Sequence, residues 1–157
     1  MIMSKVDKYM ALIPRIQSVL SGETDEIARM SNMAALLHFE FGFWWTGFYR
    51  VVSTDELVLG PFQGPVACTR IKKGRGVCGT SWSEERTLVV PDVEQFPGHI
   101  ACSSESRSEI VVPCRKSGQI VAVLDIDSKD LATFDEVDKE YLEQIVSMLY
   151  GEECHME

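Results

Sequence analysis

One alternating segment, Ile120 to Asp127, constrains the fold of this chain more than any other. Successive side chains of a strand point to opposite faces, so every second residue shares a face. One face would be unbroken and apolar, and comprises Ile120, Ala122, Leu124 and Ile126. The other face would carry Asp125 and Asp127, about 7 Å apart. A strand this apolar is expected near the centre of a sheet, with helices packed on its apolar face.

The two aspartates are the unusual part of this segment. Carboxylates on the inner face of a central strand cost free energy unless they have partners or a task. The alternative is that the strand ends there and that Asp125 and Asp127 reach solvent, where aspartates usually lie. The first interpretation predicts a buried acidic site, and the second predicts none.

Helical patterns stand at both ends of the chain. Apolar residues recur at helical spacing from Lys5 to Leu20, where Pro14 is expected to kink or divide the helix. Thr24 is expected to cap a second helix, and a capping box from Thr133 to Glu136 to open a last helix that ends near Tyr150. Segments typical of strands are 45–52, 56–59, 67–71, 87–90, 110–113 and 119–127. Hairpin turns join most of these strands, so we expect an α+β fold with a central antiparallel sheet.

Charge narrows the possible partners. The chain has 15 basic and 24 acidic residues, for a net charge of −9. An acidic surface repels nucleic acid and offers no polybasic patch to an anionic membrane. Residues 1–8 are charged where a secretory segment would be apolar, and no apolar run approaches the roughly 20 residues that span a bilayer. We expect a cytoplasmic protein with a single domain over residues 1–157, including an N-terminal helical segment at 1–20 and a C-terminal tail at 151–157.

The chain has an odd number of cysteines and no export signal, which argues against a disulfide framework. They are Cys68, Cys78, Cys102, Cys114 and Cys154. Cys102 lies in a long irregular loop, from Asp92 to Ser108, among small hydroxyl residues and outside any apolar periodicity. Loops of this length are usually functional or disordered, and this one has too many apolar residues for disorder. Cys102 is therefore the best candidate for a reactive thiol.

The remaining thiols are more ambiguous. Cys78 lies near a predicted helix start, where the helix dipole favours a thiolate, but both it and Cys68 could be ordinary buried cysteines. Cys114 is expected to be structural or incidental, and Cys154 to be an exposed thiol of the tail. His99 could lower the pKa of the Cys102 thiol or bind a metal, although a surface loop position is the more common one.

Two motifs are decoys. Gly74, Gly76 and Gly79 match the letters of the dinucleotide-binding pattern, but no βαβ unit surrounds them. A metal set could be assembled from Cys68, Cys78, His99 and Cys102. Its spacings of ten, twenty-one and three residues match no common zinc pattern, so metal is only a minor alternative. We expect no cofactor and no metal.

Several segments together resemble a known family, the free methionine-(R)-sulfoxide reductases, which are catalytic members of the GAF-domain fold. The matching segments are 46–49, 57–64, 67–68, 74–80, 96–102, 108–111 and 123–128. The resemblance extends from about residue 24 to residue 146. A set of three cysteines with these flanking residues is specific, because generic GAF domains lack it. Pro14, Cys114 and Cys154 depart from the family pattern without touching its motifs.

The resemblance implies a GAF sheet with helices on one face and a ligand pocket on the other. It implies reduction of free methionine (R)-sulfoxide by a homodimer that thioredoxin recycles. Cys102 would be the nucleophile, Cys68 the principal resolving cysteine and Cys78 an alternative thiol. The substrate site would be lined by Trp45, Glu109, Asp125 and Asp127.

The chemistry fits these residue types. A carboxyl kept protonated by burial could protonate the sulfoxide oxygen, and Glu109 and Asp127 are the candidates. Asp125 would then face the substrate ammonium. Two other functions remain open: a non-catalytic GAF module that senses a small ligand, and a cysteine-based redox sensor without a dedicated substrate.

Overall fold

The computed structural model describes residues 2–99 and 105–150. These residues form four helices and one six-stranded sheet. The helices are α1 (Lys5–Leu20), α2 (Glu26–Phe41), α3 (Gly76–Glu84) and α4 (Glu136–Ser147). The strands are β1 (Trp45–Val51), β2 (Glu56–Gln63), β3 (Arg70–Lys72), β4 (Leu88–Val90), β5 (Ser108–Lys116) and β6 (Gln119–Ser128). A short 3₁₀ turn lies at Val93–Gln95.

The sheet has the order β3-β2-β1-β6-β5-β4, and every pair of neighbours is antiparallel. Strand β6 therefore lies in the middle, hydrogen-bonded to β1 on one side and to β5 on the other. This confirms the predicted α+β fold and the central position of the segment that carries Asp125 and Asp127.

The two faces of the sheet have different coverings. Helices α2 and α4 pack on one face around Phe48, Leu124 and Ile126, which are fully buried, and α1 packs against these two helices. Helix α3 covers part of the opposite face, where Trp45 and Tyr49 belong to a second apolar cluster. The terminal helices thus lie on one side of the sheet, as expected, and leave part of the opposite face open.

Helix α1 is continuous through Pro14, so the expected division of this helix is wrong. Proline removes one backbone donor and leaves the carbonyl four residues earlier without its helical partner. Here Pro14 is exposed and Met10 is 61% exposed, so water can satisfy that carbonyl. Burial of Leu12 and Ile16 in the core that α1 shares with α2 and α4 keeps the helix intact on both sides of the proline.

Two helix starts differ from their predictions by one or two residues. Asp25, and not Thr24, caps α2, because its side chain accepts the backbone N–H of Ala28. Helix α4 begins after Asp135, which forms a reciprocal capping box with Asp138. Aspartate caps as well as threonine does, so sequence alone does not choose between neighbours of this kind.

Several strands also depart from their predicted bounds; β3, for example, is Arg70–Lys72, so residues 67–69 of the predicted strand lie in the loop before it. Strand β2 continues through Pro61 to Gln63, past the residues that pair with β3, so the missing proline N–H lies at an open edge. On β6 a bulge shifts the register between the pairs Cys114–Ala122 and Arg115–Ile120. Ile120 therefore packs in the cluster on the α3 face, and the predicted apolar face is shorter by that residue.

Within the part of the chain that the structure describes, none of the helices combines the length and the apolarity that crossing a bilayer requires.

Candidate active site

The acidic side chains lie in two neighbouring rows of paired residues that run across strands β1, β6 and β5 on the α3 face. In the first row Asp127 of β6 lies between its register partners, Trp45 of β1 and Glu109 of β5. In the second row Asp125 lies between Gly47 and Val111. Directly opposed residues on neighbouring strands have Cβ atoms about 4.5–5.5 Å apart. The sheet therefore brings three carboxyl groups into one small area.

Burial keeps this acidic group from ionising in the ordinary way. Glu109 and Asp125 are each only 6% exposed. Loss of hydration, followed by repulsion from Asp125 and Asp127, raises the pKa of Glu109 well above its usual value. Burial likewise raises the pKa of Asp127 well above its ordinary value, and it raises the pKa of Asp125 as well. The three groups cannot all be charged near neutral pH, so the site holds protons that it can donate.

Helix α3 brings a thiol to the same place. Cys78, in the first turn of the helix, is a buried free thiol. Its Sγ and a carboxylate oxygen from each of Glu109 and Asp125 lie within 4.8 Å of one another. Burial and the nearby carboxylates, Asp125 first, raise the pKa of the Cys78 thiol well above its ordinary value. The helix dipole therefore does not make Cys78 a thiolate here, as its position in the sequence had suggested.

Among the described residues, the same three side chains form the group that could hold a metal ion, because a cysteine sulfur and carboxylate oxygens are suitable ligands. The metal set considered from the sequence is different, since it contains Cys68, His99 and Cys102 in place of the two acids. Among the described residues Asp125 Oδ1 has no hydrogen-bond partner. An organic ligand with a positive or hydrogen-donating group would satisfy it as well as a cation would.

Aromatic rings form the wall beside the acids. Trp45 stacks on Phe62 with centroids 5.2 Å apart and on Tyr49 with centroids 5.9 Å apart. Gly47 lies between Trp45 and Tyr49 on this face, where a Cβ atom would come within 2.3 Å of the Phe62 Cβ and 2.8 Å of the Trp45 ring. The absence of a side chain at Gly47 is what allows the stack to close beside Asp125.

Two of these rings hold the loop between β2 and β3. Trp45 Nε1 donates to the carbonyl of Pro65 at 3.1 Å, and the Tyr49 hydroxyl donates to the carbonyl of Cys68 at 2.9 Å. Cys68 is in the disulfide-bonded form. The polar ends of the aromatic wall are thus bound to the segment that carries Cys68, one of the candidate cysteines.

His99 and Ser106 approach the acids from the loop between β4 and β5. His99 Nε2 lies 4.0 Å from Glu109 Oε1, and its side chain is only 17% exposed. The expectation of a surface position is therefore wrong for His99, and burial lowers its pKa, which favours the neutral ring. Ser106 Oγ donates to Asp127 Oδ1 at 3.3 Å. Both residues therefore belong to the site, and their position in the long loop was the only feature of the sequence that indicated a functional role.

These groups line one partly open pocket with a cavity volume of about 50 Å³. Its lining includes Trp45, Cys78, Glu109, Asp125 and Asp127. Tyr49 and Arg75 also line the pocket, and neither was predicted as a site residue. The position of Tyr49 follows from the sequence, because it is four residues beyond Trp45 on the same strand and therefore shares its face. Nothing in the local pattern of Arg75 indicated a pocket.

The remaining cysteines are one that lies far from the pocket and two that the described residues do not include. Cys114 is fully buried on the opposite face of the sheet, in the helix-covered core, so it takes no part in the pocket. Cys102, the predicted nucleophile, and Cys154 lie outside the described residues. The pocket as described therefore offers proton donors, an unpartnered carboxylate oxygen and an aromatic wall, an arrangement suited to a small polar ligand with an apolar part.

Comparison with known proteins agrees with this arrangement. The GAF domain family model matches residues 15–150. GAF domain-containing protein A of Dictyostelium discoideum is 58% identical over 146 residues, which cover 93% of this chain and 92% of that protein. Free methionine-R-sulfoxide reductase of Escherichia coli is 43% identical over 148 residues, covering 94% of this chain and 89% of that protein.

A solved structure extends the similarity to three dimensions. The X-ray structure of free methionine-R-sulfoxide reductase from Neisseria meningitidis in complex with its substrate superposes with a TM-score of 0.93 at 51% identity. The match covers 96% of this chain and 91% of that one. The chain therefore belongs to the GAF-domain family, together with the free methionine-R-sulfoxide reductases that it matches along most of their length.

Proposed function

We propose that this chain reduces free methionine (R)-sulfoxide to methionine, with Cys102 as the nucleophile and a disulfide as the oxidised product. The observation that carries the proposal is the meeting of Glu109, Asp125 and Asp127 in one pocket, where burial raises the pKa of all three. A sulfoxide needs a proton donor when its oxygen leaves the sulfur, and a protonated carboxyl provides one. The named relatives support the choice of substrate.

Each part of the substrate has a matching group. The ammonium suits Asp125, whose Oδ1 has no partner among the described residues. The sulfoxide oxygen suits Glu109 and Asp127, which lie side by side across β5 and β6. The apolar end of the side chain suits the face of Trp45. An amino acid offers all three features at once, which a generic oxidant such as a peroxide does not.

The first half of the reaction moves one oxygen atom. The Cys102 thiolate attacks the sulfoxide sulfur while Glu109 or Asp127 protonates the oxygen. Methionine leaves with its sulfur reduced by two electrons, and Cys102 keeps the oxygen as a sulfenic acid, oxidised by two electrons. The donor carboxyl regains its proton from solvent.

The second half regenerates the thiol. Cys68 condenses with the sulfenic acid of Cys102, forming the disulfide and releasing water. Cys68 suits this role better than Cys78, because Cys68 is half-buried at the pocket rim and disulfide-bonded. Cys78 is a free thiol whose burial opposes the thiolate form, so it serves as the alternative. Cys114, also free, lies on the wrong face of the sheet.

An external dithiol must then return two electrons, and we propose thioredoxin, which exchanges thiols with exposed disulfides. Val66, two residues from Cys68, is 89% exposed, so a protein reductant can reach this rim. We also expect a homodimer in the cytoplasm. Met10, Val19 and Phe39 leave apolar surface exposed on the outer helices, where a second copy could bury it.

Multi-turnover assays with thioredoxin, its reductase and free methionine (R)-sulfoxide test the proposal. Cys102→Ser should abolish turnover, whereas Cys68→Ser should release one methionine per chain and then recycle slowly. Cys114→Ala is the matched control, because it removes a buried thiol from the opposite face and should keep turnover. Full turnover by Cys102→Ser would exclude that residue as the nucleophile. Equal reactivity with hydrogen peroxide and with both sulfoxide epimers would favour a general redox sensor.

A further inference from the structure

The Tyr49 hydroxyl is bound to the peptide of Cys68. Tyr49 is 2% exposed on the central strand β1, and its hydroxyl donates to the Cys68 carbonyl at 2.9 Å across 19 residues of chain. Burial and the nearby acids raise the pKa of Tyr49, so the hydroxyl keeps its proton and remains a donor. The bond therefore ties the loop that carries Cys68 to a central strand of the sheet.

The tyrosine itself is firmly placed. Its ring stacks on Trp45, which in turn holds the same loop through the carbonyl of Pro65. Beyond Cys68 the loop is next fixed where the Leu59 N–H donates to the carbonyl of Thr69. Between these bonds Val66 is 89% exposed, and Ala67 packs against the apolar cluster on the α3 face. The hydroxyl of Tyr49 acts on the peptide of Cys68 directly, in addition to the disulfide that the side chain of Cys68 forms.

Disulfide formation is demanding in geometry. The two sulfur atoms must approach to about 2.05 Å with a C–S–S–C dihedral near 90°, and Cα separations outside about 4.4–6.8 Å are rare. A loop that samples many positions reaches this arrangement seldom, which slows an intramolecular reaction. A hydrogen bond to the carbonyl of the reacting cysteine restrains the backbone from which its side chain projects, and so narrows the range of positions that the sulfur can take.

We propose that Tyr49 is a positioning residue for the recycling half of the reaction, whose hydroxyl holds Cys68 where it condenses with the sulfenic acid. This inference rests on the proposed function, since it requires that a sulfenic acid be formed first. In the step concerned, the Cys68 sulfur forms the S–S bond as the S–O bond breaks. The thiol proton of Cys68 and the hydroxyl leave together as water.

The variant Tyr49→Phe tests the inference, because it keeps the ring and removes only the donor. Quenched single-turnover reactions would follow methionine release and thiol loss separately, and a dimedone-type reagent would trap the sulfenic acid. We expect disulfide formation to slow about five- to tenfold relative to methionine release, in line with the loss of one hydrogen bond. Sulfenic acid should accumulate as a consequence.

The matched control is Tyr9→Phe. Tyr9 is also a buried tyrosine, and its hydroxyl donates to Asp138 on the helix-covered face, away from the pocket. It should lower stability without changing the ratio of the two rates. The inference is overturned if Tyr49→Phe leaves that ratio within twofold of the parent, or if Tyr9→Phe changes it equally.

A second measurement needs no turnover. In dithiol buffers of graded potential, the Cys68 disulfide of Tyr49→Phe should be reduced about five- to tenfold more readily at equilibrium than that of the parent. An unchanged equilibrium would overturn the inference. Absence of methionine release from the parent chain would instead refute the proposed function, so the two failures are distinguishable.

Discussion

Glu109 and Asp127 face each other directly across β5 and β6, on the side of the sheet that the terminal helices leave open. Burial, followed by repulsion from Asp125, raises the pKa of both carboxyls, and Asp127 raises that of Glu109 further, so the pair provides a proton donor at neutral pH. Trp45 continues the same row on β1. The register of the paired strands therefore positions both the acidic side chains and the apolar wall of the pocket.

Removing the carboxyl protons should slow the first half of the reaction. We expect Glu109→Gln and Asp127→Asn to lower the rate of methionine release by roughly 10²–10⁴-fold, the usual contribution of general acid catalysis. Rapid-quench single turnover measures this step. Glu94→Gln, an exposed acid on the 3₁₀ turn, is the control and should release methionine at the parental rate. A parental rate in both pocket variants would exclude these two acids as donors.

Stability should depend on pH through the same acids. Their pKa values are higher in the folded chain than in the unfolded one, so the folded form binds more protons and loses stability as the pH rises. The effect is absent below about pH 4, where both forms are protonated, and grows as the pH rises toward the raised pKa values.

The variant Glu109→Gln should therefore exceed the parent in free energy of unfolding by more at pH 8 than at pH 4. Urea unfolding at several pH values measures this difference. Glu94→Gln, whose carboxyl is exposed, should follow the parent at every pH. A pH-independent difference between Glu109→Gln and the parent would mean that folding leaves the pKa of Glu109 unchanged, which would contradict the raised pKa.

Cys78 and Cys114, the two free thiols within residues 2–99 and 105–150, should be slow to react in the folded protein. Burial raises the pKa of Cys78 and of Cys114, and the thiolate is the form that alkylates. Brief treatment with iodoacetamide at neutral pH, followed by peptide mass spectrometry, should leave both unmodified, whereas both should be modified in denaturant. Rapid native modification of Cys78 would restore it as an equal candidate for resolution. On the same grounds Cys78→Ser should recycle faster than Cys68→Ser.

Arg29 should be a stability determinant without a role in the chemistry. Its guanidinium donates to the carbonyls of Leu20 and Glu23, just at and after the end of α1, and to those of Met148 and Leu149 beyond α4. Removing it leaves buried acceptors unpaired.

We expect Arg29→Ala to lower the free energy of unfolding by about 3 kcal/mol, while folded molecules keep their activity. Denaturant unfolding provides the measurement. Arg15→Ala is the control, since Arg15 is 60% exposed and its ion pair lies at the surface. Equal stability of the two variants would contradict the role assigned to Arg29.

The chain's alternating pattern predicted the centre of the sheet and the shared face of Asp125 and Asp127, because strand geometry is local. It failed at Ile120, since a bulge is a property of two paired strands and leaves no mark in one of them. The start of α4 was misplaced because Asp135 and Thr133 are similar caps, and packing decides between them.

The candidate site was predicted unevenly for the same reason. Motif resemblance supplied Glu109 and Trp45, which the register then brought beside Asp127. The approach of His99 to Glu109 comes from the path of a long loop, which no local periodicity describes. The bond from Tyr49 to Cys68 likewise joins residues from distant segments, so only the three-dimensional structure reveals it.

A single-turnover assay without added reductant tests the central claim most directly. The fully reduced chain is mixed with free methionine (R)-sulfoxide or with the (S) epimer, and released methionine and lost thiols are counted. The account predicts one methionine and two lost thiols per chain from the (R) epimer, with little from the (S) epimer. Absence of methionine, or equal release from both epimers, would contradict it.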